Sequence, residues 1–204
     1  MGNASWSPGN RVSIVGPRLR VRSLSEVDLE ASVEVWTGSK ERTAHVWKPN
    51  MSSRDYMRGL IHHCDNRATF VLGIWSFAEN GMVGYRKVQI VEEDHGRGPE
   101  RTAVPTSVIG DEFAGKSYGQ EAGHQANWFF IKHAGVTAFS PRIYEANEQT
   151  WRLVERLGYR LSRTSQERVP NGALRTVRHY VLLAAELEQM FGDFYAQLQL
   201  EPCQ

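Results

Sequence analysis

Thr-Ser-Val-Ile-Gly-Asp-Glu-Phe-Ala-Gly-Lys-Ser-Tyr-Gly-Gln-Glu-Ala, residues 106–122, is the stretch that decides the fold. Its first four residues have strand composition, the glycines at 115 and 119 mark a turn, and residues 120–133 place apolar side chains at helical spacing. A strand, a glycine turn and a helix in this order can direct several backbone N–H groups at one point in front of the helix. The stretch therefore indicates an anion-binding site whose ligand is a phosphate group, although an ordinary α/β connection has the same pattern.

Four further short stretches narrow the interpretation of the fold. Residues 147–150 read Asn-Glu-Gln-Thr, and residues 157–159 read Leu-Gly-Tyr. Near the N-terminus, residues 17–22 read Pro-Arg-Leu-Arg-Val-Arg, and Ser-Glu-Val-Asp follows at 25–28. Together with residues 115–122, these motifs resemble the GCN5-related N-acetyltransferases (GNAT), and most closely the branch that acetylates ribosomal-protein N-termini. The resemblance runs from about Pro17 to Leu183.

Two positions depart from the family pattern. The family's phosphate loop normally starts with Arg or Gln, where this chain has Ala114, and it carries Gly or Ala where this chain has Ser117. Because backbone amides bind the pyrophosphate, such a site survives the first change but loses a helpful side chain.

The resemblance implies an α/β fold with a mixed, mostly antiparallel central sheet flanked by helices. The strand at 104–109 would splay away from the next strand, near 136–144, and the gap would admit the pantetheine arm of acetyl-CoA as acyl donor. No metal is expected. The implied cofactor-binding residues are Val108 and Ile109 beside the arm, Gly115, Lys116, Ser117, Tyr118 and Gly119 at the pyrophosphate, and Asn147 near the arm. Asn147 also suits a helix N-cap.

The chemistry requires a proton donor for the leaving thiolate and a way to obtain a neutral amine. The resemblance places a hydroxyl three residues after the Asn, so Thr150 is the candidate for the thiolate, with helix capping as its other interpretation. The superfamily's usual Tyr position holds Val154. Candidate bases are Glu145, His45 and Glu112, in that order, and proton release to water without a dedicated base also remains open.

The acceptor pocket of the family is walled by its first two helices and the loop between them. Here these helices are predicted after Ser25 and over Ser53 to His63. The candidate substrate-binding residues are Trp36, His45, Trp47 and Tyr56, and each of these aromatic side chains equally suits the core.

Bulk composition excludes several classes of protein. With 204 residues the length suits one domain, and a formal net charge of +1 gives no basis for a nucleic-acid or membrane partner. The two cysteines lie far apart without metal-binding spacing, and no export signal is recognisable, so a cytoplasmic location is expected.

Three segments are predicted along the chain: an irregular leader over 1–16, an acyltransferase domain over 17–183, and a C-terminal amphipathic helix within 184–204 that packs on the domain or on a second subunit. A hairpin turns at Glu79-Asn80-Gly81, and the polar run 92–101 is interpreted as a solvated loop. Arginines are dense between Arg142 and Arg178, either to neutralise phosphates or to keep that side soluble.

The sequence therefore predicts an N-acetyltransferase that uses acetyl-CoA and acts on a primary amine of a small molecule or a peptide N-terminus. Two alternatives remain. One is a transferase of the same fold that uses a longer acyl-CoA or an aminoacyl-tRNA. The other is a catalytically silent ligand-binding protein. A homodimer is possible through the apolar face of the tail helix.

Overall fold

The computed structural model describes residues 11–39, 51–63, 68–96, 98–168 and 172–202. The α-helices are α1 (Leu29–Thr37), α2 (Ser53–His63), α3 (Tyr118–Ala134), α4 (Glu148–Arg156) and α5 (Ala184–Tyr195). The strands are β1 (Ser13–Val15), β2 (Leu19–Ser23), β3 (Thr69–Ser76), β4 (Gly81–Asp94), β5 (Pro99–Ile109), β6 (Ala138–Phe139), β7 (Arg142–Tyr144), β8 (Arg160–Arg168), β9 (Leu174–Leu183) and β10 (Gln199–Leu200).

These strands form one sheet in the order β10-β1-β2-β3-β4-β5-β6-β9-β7, with β8 paired to β9. Every pair of neighbouring strands in the described ranges is antiparallel except β5 and β6. The predicted mixed, mostly antiparallel sheet flanked by helices is confirmed. The predicted helix over Ser53 to His63 and the hairpin turn before Gly81 are also confirmed.

Helices cover both faces of the sheet. Phe129 and Phe130 of α3 and Leu187 of α5 belong to the larger core cluster, on one face. Trp36 of α1 and Met57 of α2 belong to a second cluster on the other face. Because buried strand residues alternate between these clusters, the sheet is apolar on both sides. Among the described helices, none has the length and apolarity needed to cross a bilayer.

Two segments differ from the sequence interpretation because their partners are distant. Ser13–Val15, in the predicted irregular leader, is strand β1 and pairs with both β2 and β10. The polar run 92–101 is mostly strand, since Glu92 pairs with Arg101 and Asp94 with Pro99 at the end of the β4–β5 hairpin. Backbone pairing along the hairpin, rather than side-chain polarity, decides the structure there.

The tail helix is shorter than the predicted span. α5 ends at Tyr195, and residues 199–200 form strand β10 instead of continuing the helix. Its apolar side packs on α3 of the same chain, where Phe191 meets His124 with ring centroids 3.9 Å apart. Leu187 and Tyr195 are buried, while Met190 stays 47% exposed. Most of the apolar stripe is thus covered within the chain.

Candidate active site

A gap opens between β5 and β7 at the middle of the sheet. β5 pairs with β6 only through Thr102 with Ala138 and Ala103 with Phe139. From Val104 onward, β4 is the only strand in the described ranges that pairs with β5, while β7 pairs with β9. Val108 and Ile109 lie on β5 beyond the point of divergence. The structure therefore contains the opening that an extended ligand arm would need.

The segment between β5 and α3 forms an exposed loop with unusual backbone conformations. A short 3-10 turn, Asp111–Phe113, precedes it. Gly115 (φ +78°) and Ser117 (φ +61°) both lie in the left-handed region. For Ser117 this conformation costs about 1–2 kcal/mol relative to the right-handed one. Tyr118 and Gly119, assigned to the turn by the sequence, belong to the first turn of α3.

This loop presents unpaired backbone donors. The first amides of a helix have no carbonyl ahead of them to bond. Within the ranges that the structure describes, no hydrogen bond engages the N–H groups of residues 115–120. Gly115, Lys116 and Ser117 are exposed, so these donors are open to a ligand. The local positive end of α3 adds to their attraction for an anion, and the residues present fit a pyrophosphate.

Side chains around the loop anchor it and balance its charge. Glu79, in the β3–β4 turn, accepts hydrogen bonds from Lys116 Nζ at 2.7 Å and from the Tyr118 hydroxyl at 2.8 Å. The bond from Lys116 lowers the pKa of Glu79. On the other side, Arg18 pairs with Glu121 and donates to the Lys116 carbonyl at 3.3 Å. Because both cations are already paired, the backbone donors are the principal open anion-binding groups of the loop.

Asn147 and Thr150 lie at the start of α4. The Asn147 side-chain oxygen accepts a hydrogen bond from the Thr150 N–H at 3.3 Å, which makes Asn147 the N-cap of the helix. Thr150 is half-buried and is the third residue of α4, in its first turn. Both interpretations of Asn147 thus remain compatible, because its amide nitrogen is not used by the cap.

Glu145, the first candidate base, is exposed just after β7. Its carboxylate accepts a hydrogen bond from Arg178 Nη2 at 3.2 Å, and its backbone N–H donates to the Thr176 carbonyl at 2.9 Å. Glu112 is exposed in the 3-10 turn before the loop. His45 lies outside the described residues. Glu145 lies two residues before Asn147, at the end of β7.

Of the two interpretations of Trp36, pocket wall or core, the structure agrees with the second. Trp36 is only 1% exposed, and its ring stacks on Tyr56 at a centroid distance of 4.4 Å and lies 6.2 Å from Tyr85. Trp36 is therefore a core residue, since the sheet and both N-terminal helices enclose it. Tyr56 remains partly exposed at the edge of this aromatic cluster. Trp47, like His45, lies outside the described residues.

Sequence reasoning missed a cleft at the end of β7. Tyr144, Glu145 and Ala146 line it on one side, and Arg175 and Thr176 of β9 line it on the other. Its volume is about 330 Å³. Its two walls are distant in the sequence and meet only through the pairing of β7 with β9. The density of arginines was the only signal in the sequence.

Most of those arginines are engaged with carboxylates. Arg142 and Arg163 both approach Glu93, at 4.0 and 3.6 Å. Arg160 pairs with Glu186 at 2.6 Å. Ion pairs and solubility therefore account for much of the arginine density.

A comparison with protein families identifies the chain. The acetyltransferase (GNAT) domain model matches residues 18–160, a span that contains β2 to β7, the loop before α3 and all of α4. This chain belongs to the GNAT family. No match was found among curated proteins.

Solved structures show the same GNAT fold. A GNAT-family acetyltransferase from Bacillus anthracis superposes with a TM-score of 0.68 at 19% identity, over 85% of this chain and 99% of that one. Spermidine N-acetyltransferase from Vibrio cholerae, in complex with CoA and spermine, superposes with a TM-score of 0.65 at 17% identity, over 83% of this chain and 97% of that one. Ribosomal-protein-S5-alanine acetyltransferase from Vibrio fischeri superposes with a TM-score of 0.66 at 12% identity, over 86% of this chain and 98% of that one.

Proposed function

We propose that this GNAT acetyltransferase transfers an acetyl group from acetyl-CoA to a primary amine of a small molecule or a peptide N-terminus. The observation that carries the proposal is the loop before α3, whose amides at residues 115–120 have no acceptor within the described chain. A loop of this kind beside a gap between two strands provides both a pyrophosphate site and a channel for the attached arm.

Each part of the site has a role in binding the donor. The amides of Gly115 to Gly119 hold the pyrophosphate, and the Lys116–Glu79 pair keeps the loop against the β3–β4 turn. Backbone groups of Val108 and Ile109 line the gap. Asn147 keeps its amide nitrogen available beside the arm while its oxygen caps α4. The donor supplies an activated thioester carbonyl.

Two side chains assist the transfer. The amine nitrogen attacks the thioester carbonyl, so that a C–N bond forms, the C–S bond breaks and the nitrogen loses a proton. Thr150 donates a hydrogen bond from its hydroxyl to the leaving sulfur, and the sulfur takes up the proton that the nitrogen loses and ends as the thiol. Glu145 attracts the acceptor's ammonium and receives its proton before attack. Arg178 orients that carboxylate at 3.2 Å.

The test is calorimetric titration with acetyl-CoA, followed by measurement of thiol release with a panel of amines. The wild-type protein should bind in the micromolar range. Gly115→Val should weaken binding about tenfold or more, since a β-branched residue strongly disfavours the left-handed loop. The matched control is Gly172→Val, because Gly172 also has a positive φ (+85°) and open space around it but lies in the β8–β9 connection.

Turnover distinguishes an enzyme from a silent binding protein. Thr150→Ala should lower kcat while acetyl-CoA binding persists, and Thr150→Ser, which restores the hydroxyl, should recover most of the activity. Absence of acetyl-CoA binding in the wild-type protein, or equal weakening by the two glycine variants, contradicts the assignment of the loop.

A further inference from the structure

The cleft at the end of β7 presents two side chains of opposite charge. Glu145, whose carboxylate accepts a hydrogen bond from Arg178, lines one wall, and Arg175 lines the other. The volume of about 330 Å³ lies at the small end of the range for ligand sites. Such a cleft suits a compact molecule that carries both an amine and an anionic group.

Arg175 differs from the arginines around it. Arg178 contacts Glu145 at 3.2 Å, and Arg142 and Arg163 share Glu93. Among the described residues, the half-buried Arg175 side chain makes no hydrogen bond or ion pair, while its charge and that of Glu167 both act on the Tyr144 hydroxyl. Its cross-strand neighbour on β8, Glu167, instead lies 3.4 Å from Ser165. A guanidinium whose donors are not bonded to described residues can bind a carboxylate through two parallel hydrogen bonds.

The position of the cleft connects it to the proposed chemistry. Glu145 and Ala146 immediately precede Asn147, the N-cap of α4, and Tyr144 ends the strand that borders the gap. A ligand whose amine lies at the Glu145 end therefore has that amine beside the gap. Its anionic group then extends towards Arg175, at the start of β9.

We propose that the acceptor is a free amino acid, bound with its carboxylate on Arg175 and its amine at Glu145. This inference rests on the proposed acetyl transfer and specifies its substrate class. Arg175 sets specificity, because an acceptor that lacks the carboxylate leaves this cation without its partner. An amide of the same amino acid keeps the shape and the amine but removes the charge, so it is the matched probe.

The test measures binding of free amino acids and their C-terminal amides to the full chain saturated with CoA, by saturation-transfer NMR. At least one free amino acid should bind about tenfold or more tightly than its amide. Arg175→Ala should abolish that preference, and Arg175→Lys should retain part of it. Arg156→Ala is the charge-matched control, because Arg156 is exposed on α4 outside the cleft.

Three outcomes overturn the inference: no free amino acid binds, amides bind as tightly as acids, or Arg175→Ala leaves the preference unchanged. If Arg175→Ala instead weakens acetyl-CoA binding, the arginine serves the phosphates of the donor and the inference is also wrong. The readout needs no turnover, so failure of acetyl transfer is detected separately by the acetyl-CoA titration. Thermal unfolding of each variant checks that it is folded.

Discussion

At the scale of single residues, His124 on α3 is a buried titratable group. It is 9% exposed, and neither ring nitrogen has a hydrogen-bond partner among the described residues. Burial, with a smaller contribution from the charge of Arg86, lowers the pKa of His124 to about 4. The imidazole is therefore neutral in the folded protein at neutral pH and packs against Phe191 as a ring.

This residue should make the free energy of unfolding depend on pH. Between pH 6.5 and 4 the unfolded chain binds a proton at His124 that the folded chain does not, so stability falls as the pH falls. The full loss is about 3 kcal/mol. Denaturant unfolding of wild type and His124→Leu across this range should show a difference that grows toward low pH. Parallel curves would refute the assignment.

At the scale of elements, Arg86 joins β5, at the edge of the gap, to α3. It lies on β4, is 7% exposed, and donates to Ser107 on β5 at 2.8 Å and to Asn127 on α3 at 3.2 Å. No carboxylate bonds to it within the described residues, and its Nε is unsatisfied. Two neutral acceptors offset only part of the desolvation penalty of a buried cation. Removing one of them therefore destabilises the folded protein strongly.

Replacing only the acceptor Asn127 should therefore lower the free energy of unfolding more than replacing both Asn127 and the charged Arg86. Asn127→Leu should lower the free energy of unfolding by about 2–3 kcal/mol, since a hydrogen bond to a buried charge is lost. Adding Arg86→Met should recover about 1 kcal/mol or more, because methionine fills similar space without a charge. Chemical denaturation of both single variants and the double variant measures the coupling. Purely additive losses would contradict it.

At the scale of the whole molecule, the two ends of the described chain meet at one sheet edge. β1 pairs with β10 through Ile14 with Leu200, and Glu201 N–H donates to the Ser13 carbonyl at 2.9 Å. Leu198, just before β10, is 7% exposed and belongs to the larger core cluster. Segments distant in sequence thus share one core, which favours cooperative unfolding.

Truncating Leu198 should affect the whole domain. Leu198→Ala should cost about 2–3 kcal/mol by leaving a cavity in the core, and thermal unfolding should remain a single transition at a lower Tm. Leu200→Ala is the matched control two residues away, and it should cost less than about 0.5 kcal/mol because Leu200 is 44% exposed. A separate early transition for the terminal strands would contradict this cooperative picture.

Local patterns in the sequence sufficed to locate much of the fold and the loop before α3. Apolar periodicity located α2, the turn at Asn80 located the β3–β4 hairpin, and the glycines at 115 and 119 located the loop before α3. In each case a few consecutive residues carry the conformational preference: a helical stripe, a positive φ or a strand composition. The family motifs are likewise short and contiguous, and the GNAT match confirms the family they indicated.

The tertiary structure alone determined the features that form between segments distant in the sequence. Strands β1 and β10 are strands because they meet each other, and the polar end of the β4–β5 hairpin is held by its backbone ladder. Trp36 became core because the sheet and both N-terminal helices enclose it, which its own sequence neighbourhood does not specify. The cleft between Glu145 and Arg175 arises from residues 30 positions apart, brought together only when β7 pairs with β9. Tertiary packing decides which arginines pair with a carboxylate and which one lines the cleft. No local sequence pattern encodes this difference.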